Sequence, residues 1–183
     1  MSTYGLVIIA DLSSEVDGER LVDQVERALN DKDPSQANNL DWRSDPGPLG
    51  VQVSIDVPGA VTDSNEEQFF TGLPAGRAVL CVDGDEYGVT FSAWRLTGTQ
   101  PDLVYLSHLN DPDIDDDGTD AGVAGRIRTG GQAVTELANL YGVSDKPLLS
   151  IEKNPTAVTD NLGVIGTPFD PWLDALNLQW PQL

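Results

Sequence analysis

The chain has 183 residues, 39% hydrophobic and 22% charged, which suits one folded domain and argues against wholesale disorder. Thirty acidic residues against ten basic ones leave a net charge of −20, a balance that repels nucleic-acid phosphate and anionic lipid and attracts basic proteins. A single cysteine, Cys81, and a single histidine, His108, exclude an internal disulfide and any intrachain cluster of Cys or His ligands on a metal.

No apolar run approaches the roughly 18 residues that span a bilayer. The opening Met1–Asp11 lacks the basic residues and small-residue cleavage site of a signal peptide, so a cytoplasmic location is expected. No period of roughly 20–50 residues repeats, which argues against a solenoid or propeller.

The run Leu6–Ala10 reads as a buried strand. A helix is expected within Ser14–Leu29, where Leu21, Val22, Val25 and Leu29 share one face and Ser14 with Asp17 forms a capping pair. Asp31–Gly50, with Pro34, Pro46 and Pro48 among Asn and Asp, reads as a long loop. Val51–Val57 alternates apolar and polar as a half-buried strand does, and Ser64–Phe70 predicts a short helix. Ala78–Val82 and Glu86–Leu96 around Asp83-Gly84 read as a hairpin, with Asp83 and Asp85 serving the turn.

Leu103–Leu109 reads as a further strand. Val134, Leu137, Ala138 and Tyr141 then line a helix that Gly142 caps. Asn154-Pro155 and Asp170-Pro171 mark two short helices, 155–162 and 171–176. All four tryptophans, Trp42, Trp94, Trp172 and Trp180, read as core or sheet-face residues. The element order predicts one α+β domain over 1–183: a mostly antiparallel sheet with helices packed on one face, and residues 177–183 as an exposed tail. A small α/β sandwich with one parallel pair is the alternative.

Among candidate sites, Asp113-Ile-Asp115-Asp-Asp117-Gly118 matches the first half of an EF-hand loop, making Asp113, Asp115 and Asp117 candidate calcium ligands. Its twelfth position is Ala124 where that loop requires a bidentate Glu, and a solvated acidic loop explains the same string. Asp11 ends the first strand, where α/β folds often carry ligand-site residues, though a turn or capping role is the plainer account. Ser107 and His108 are adjacent on a strand and so face opposite ways, which argues against a nucleophile–base pair and for a hydrogen-bonded structural histidine. Cys81, inside an apolar run, reads as a buried hydrophobe. Gly130-Gly131 carries no phosphate-loop pattern, and the neighbouring Arg126 and Arg128 read as salt-bridge partners.

The charge then sets the functional expectation. It is a non-enzymatic acidic module, inhibitor- or immunity-like, that binds a basic protein through Asp111, Asp113, Asp115, Asp116, Asp117 and Asp120. Two alternatives stand beside it: a structural subunit of a homo- or hetero-oligomeric assembly (a virion or array) from a halophilic host, and a carboxylate- or divalent-cation-dependent enzyme.

Overall fold

The structure, a computed structural model, describes residues 4–32, 35, 39–60, 65–110 and 121–182. Six described strands form one sheet: β1 (Gly5–Leu12), β2 (Asp41–Gly47), β3 (Gly50–Pro58), β4 (Gly76–Asp83), β5 (Val89–Leu96) and β6 (Asp102–Leu109). Their spatial order is β2-β3-β1-β4-β5-β6, and each neighbouring pair is antiparallel. The expected α+β fold on an antiparallel sheet is therefore the one observed.

β1 lies at the middle of this sheet, and all eight of its residues are buried. That explains the unbroken apolar run Leu6–Ala10, since a strand packed on both sides has little face to spare for polar residues. Leu6, Ile8, Ala10 and Leu12 point to one side, Val7 and Ile9 to the other, and each set belongs to a separate core. Helical cover accordingly falls on both faces, where the sequence reading placed it on one, because the residues of β1 are apolar to both sides.

The first face is covered by α1 (Glu15–Lys32) and the short α2 (Glu67–Phe70). Leu21, Val22, Val25 and Leu29 are the buried stripe of α1, as their spacing predicts. Asp17 N–H donates to Ser14 Oγ (3.3 Å) while the Ser14 hydroxyl donates to the Asp17 carboxylate (2.6 Å), so the capping pair closes. Gly18 lets the helix approach β3 closely: a Cβ there would stand 2.7 Å from Val53 Cγ2. Phe70 packs on Trp94 with ring centres 5.5 Å apart.

The second face is covered by α4 (Gly131–Tyr141), α5 (Lys146–Lys153), α6 (Thr156–Thr159) and α7 (Asp170–Ala175), with α3 (Ala121–Ala124) preceding them. Gly142 ends α4 in the left-handed region, at φ 69°, and its N–H returns to the Ala138 and Asn139 carbonyls. Trp172 on α7 stacks on Phe91 of β5, the rings 5.0 Å apart and within 3° of parallel. Residues 177–182 lie against the body and are not the exposed tail expected from the sequence: Leu178 and Pro181 are buried, Trp180 stacks on Phe169, and Arg43 donates to the Gln182 carbonyl.

Two elements differ from the sequence expectation. The stretch read as a loop over 31–50 contains β2, an edge strand held to β3 by its backbone ladder. Its residues are mostly exposed, so no apolar alternation marks it, and Pro46 is tolerated because an edge strand leaves one side of its ladder unpaired. Trp42 on that strand is 43% exposed, the sheet-face member of the expected core or sheet-face tryptophans. The helix α5 had no expected counterpart; Pro147 in its first turn and buried Leu148 and Ile151 account for it.

Candidate functional site

The six aspartates expected to bind a partner, Asp111, Asp113, Asp115, Asp116, Asp117 and Asp120, lie outside the described residues, as do the three of them considered for calcium. Among the described residues, no group of three or more His, Cys, Asp or Glu side chains could hold a metal ion.

Asp11 is neither turn nor cap. It sits within β1, 2% exposed, and its Oδ2 accepts from Arg77 Nε at 2.6 Å while Oδ1 accepts from Gln52 Nε2 at 3.0 Å. These partners are its direct neighbours in register on β4 and β3. The row continues to both edges, running Asp45, Gln52, Asp11, Arg77, Arg95, Asp102 across all six strands. Arg95 meets Asp102 at 2.8 Å, and Asp45 meets Arg43 at 3.0 Å. Arg77 also donates to the Leu140 carbonyl (2.8 Å) and lies 4.3 Å from the Tyr141 ring centre, so the C-terminal end of α4 caps the cation. The row joins strands and helix as one structural network. Burial, with the Asp11 carboxylate nearby, holds the Tyr141 phenol well above its usual range.

Other singled-out residues take plain roles. The Asp83 carboxylate accepts from the Asp85 backbone N–H at 2.8 Å, which is turn chemistry. Cys81 is buried, and burial pushes its thiol pKa up, away from the reactive thiolate. Arg126 pairs with Glu66 at 2.6 Å, and Arg128 pairs with Glu136 at 2.9 Å and donates to the Leu103 carbonyl. Thr90 Oγ1 and His108 Nδ1 are 2.9 Å apart across the β5–β6 pairing, and burial lowers the imidazole pKa.

One cleft of about 330 Å³ opens where β6 meets α5 and the segment before α4. Ser107, His108, Tyr105 and Glu152 supply its polar wall, and Ile127 and Ile151 part of its apolar one. Glu152 Oε1 accepts from the Gly130 backbone N–H at 2.9 Å. The Tyr105 hydroxyl and the Trp172 indole N–H are buried with no hydrogen-bond partner among the described residues. Burial pushes the phenol up to about 12, and Trp172, Glu152 and Ser107 are the polar groups around it. The indole N–H is the donor that stands beside the hydroxyl oxygen, so the two buried groups are placed to pair with each other. Sequence reasoning missed the cleft, since Tyr105 and Glu152 belong to distant elements that carry no shared motif.

Across β2 and β3, Asp41 and Asp56 stand directly opposite. Burial, and then the Asp41 charge, raises the Asp56 pKa. Outside the sheet, carboxylates Glu15, Glu19, Asp23 and Glu26 stay exposed along α1. Each of the chain's seven arginines lies within 3.8 Å of a carboxylate oxygen of the same chain. No helix among the described residues is long and apolar enough to cross a membrane. Compared with known proteins, the chain matches no family model, no curated protein and no solved structure.

Proposed function

We propose that the chain is a non-enzymatic acidic protein-binding module that engages a basic protein, as an inhibitor or immunity-like protein does. The observation that supports this is the internal neutralisation of its arginines: each is paired with a carboxylate of its own chain. The surface charge left over is overwhelmingly negative, and it is free to meet Arg and Lys of a partner.

Placement adds to the reading. α1 packs over β3 and β2 on the side of the sheet to which Trp42 points, while Asp41 and Asp45 point to the other side, in register with Asp56 and with Gln52 and Asp11. Exposed Trp42 lies on the same side of the sheet as the exposed acids of α1 and offers the kind of aromatic anchor around which binding energy concentrates. The six aspartates within 111–120 form the densest acidic stretch of the sequence and belong to the same proposal.

The test begins with capture of a partner from native lysate, followed by association kinetics of the purified partner from about 0.01 M to about 1 M salt. The expected result is a basic protein whose on-rate falls steeply with salt and is slowed by the triple change D115N/D116N/D117N. A partner that is itself acidic, or an on-rate indifferent to salt, overturns the proposal.

A further inference from the structure

We infer that the outer edge of β2 is a docking edge for an extended, basic segment of the partner protein, which joins the sheet as a further strand with Lys or Arg at alternate positions. This rests on the reading of the chain as a binder of a basic protein, and it names the surface used and the form the partner takes. β2 ends the strand order, and no described residue pairs with its outer side. The hairpin fixes which backbone groups are left over. Gly47 and Gly50 close the two-residue turn Pro48-Leu49, and bonded pairs then alternate along the ladder. Asp41, Arg43, Asp45 and Gly47 therefore spend their N–H and C=O groups on β3, while Trp42, Ser44 and Pro46 turn theirs outward. Pro46, with no N–H to offer the ladder, stands in the outward phase, as edge-strand prolines do.

Charge decides what pairs there. α1 packs on the side of the sheet to which Trp42 and Ser44 point. Arg20 and Gln24 of that helix turn away from β2, toward the Gly72 and Thr71 carbonyls. At about 100° per residue, Glu15, Glu19 and Glu26 fall on the opposite flank, the one nearer β2. Glu15, Glu19 and Asp23, all exposed, succeed one another by single turns, about 6 Å apart along the axis. Alternate side chains of an extended strand are about 6.7 Å apart, so a basic residue at every second position of the added strand meets a carboxylate at each turn of the helix. Exposed Trp42 points to the same side and offers its ring to one of those cations. On the other face of β2 its only cation, Arg43, is already spent on Asp45 at 3.0 Å. A second copy of this chain is a poor occupant, because pairing through the edge would bring two acidic flanks together.

The experiment titrates the full chain with an acetylated, amidated nine-residue peptide that alternates Lys and Thr. Controls are a peptide of the same composition with its lysines in one block, and a peptide that alternates Glu and Thr. Binding is read by NMR, from the shift of the Trp42 indole N–H and from hydrogen exchange of the Trp42 and Ser44 backbone amides. The expected result is saturable binding of the alternating Lys peptide, at least tenfold tighter than either control, with at least tenfold slower exchange at those two amides. Ser44→Pro removes an outward N–H without touching the ladder to β3, and should weaken the peptide at least tenfold. The double change E15Q/E19Q, which leaves the backbone edge intact, should do the same. Asp160→Asn, at an exposed carboxylate away from α1 and β2, should change nothing. Equal binding of the blocked peptide, binding that leaves both amides unprotected, or no saturable binding overturns the inference. The peptide is titrated without the natural partner, so failure here leaves the capture result untouched. A captured basic partner that leaves the two amides unprotected overturns the docking edge alone, and an acidic partner overturns the proposed function.

Discussion

Asp11 and Arg77 face each other across the β1–β4 pairing and close a 2.6 Å ion pair at which the carboxylate is 2% and the guanidinium 13% exposed. The pair ties the central strand to β4 and, through the Leu140 carbonyl and Tyr141 ring, to the end of α4. Removing one partner leaves the other charge buried. Arg77→Met should therefore cost about 3–5 kcal/mol of folding stability, and Asp11→Asn a comparable amount. Urea denaturation of both single variants and of the double variant checks this. The double variant should lose clearly less than the sum, and strict additivity would show that the two charges do not interact.

Salt should stabilise the fold. With the arginines already paired internally, the excess carboxylates repel one another, and screening relieves that repulsion. The melting temperature should rise from low salt to molar chloride. A falling curve would mean that the surface ion pairs contribute more than the repulsion costs.

His108 should titrate below 6.5, the ordinary value, because burial disfavours its charged form. Between the lowered native value and 6.5 the unfolded chain binds the proton and the native chain does not. Stability should accordingly rise with pH through that window and fall as pH drops through it. NMR of the single histidine ring gives the midpoint, and a value at or above 6.5 would contradict the burial argument. His108→Gln should flatten this part of the stability profile.

The Ser14–Asp17 cap lends itself to a smaller test. Ser14→Ala removes the Oγ that accepts from the Asp17 N–H and should cost about 1 kcal/mol. The hydrogen bond from Ser14, outweighing burial, holds the Asp17 pKa below its usual value. That contribution is present above about pH 4 and disappears as pH falls through the lowered native value. Thermal melts at neutral and acid pH should show the variant and parent converging in acid. A gap that stays constant would assign the whole cap energy to the backbone bond.

Tyr105→Phe removes the buried hydroxyl beside the Trp172 indole N–H and should change stability by less than about 1 kcal/mol. Chemical denaturation decides it. A loss above about 1 kcal/mol would show that the indole N–H has no other acceptor.

Much of the architecture could be read before any coordinates, wherever one side of an element carries an apolar signal. β1, the stripe of α1, the β4–β5 hairpin and the Gly142 cap all came from local pattern. β2 did not, because an exposed edge strand is held by backbone pairing and has no side-chain period to betray it. Helices on both faces were also hidden. A continuous apolar strand such as Leu6–Ala10 announces burial without saying what buries it. The Asp45–Asp102 row and the Tyr105–Glu152 cleft depend on register and on docking between distant elements, neither of which leaves a mark in the order of residues.

The two cores are completed at very different moments of a chain's life. α1 follows β1 directly, so one side of the sheet has its cover as soon as the strands pair. The other side, with Val7, Ile9, Val79, Cys81 and Phe91, receives its helical cover among the described residues from Gly131 onward, and Phe91 gains its stacked partner when Trp172 arrives. At about 5–20 residues per second of synthesis, a nascent chain carries that greasy surface bare for several seconds after β6 has emerged from the ribosome. A truncation or stalled translation before α4 leaves it bare for good, and one before α7 leaves Phe91 without the Trp172 ring, making the stretch from Gly131 onward the part of the gene where a premature stop yields a sticky product rather than a shortened working one.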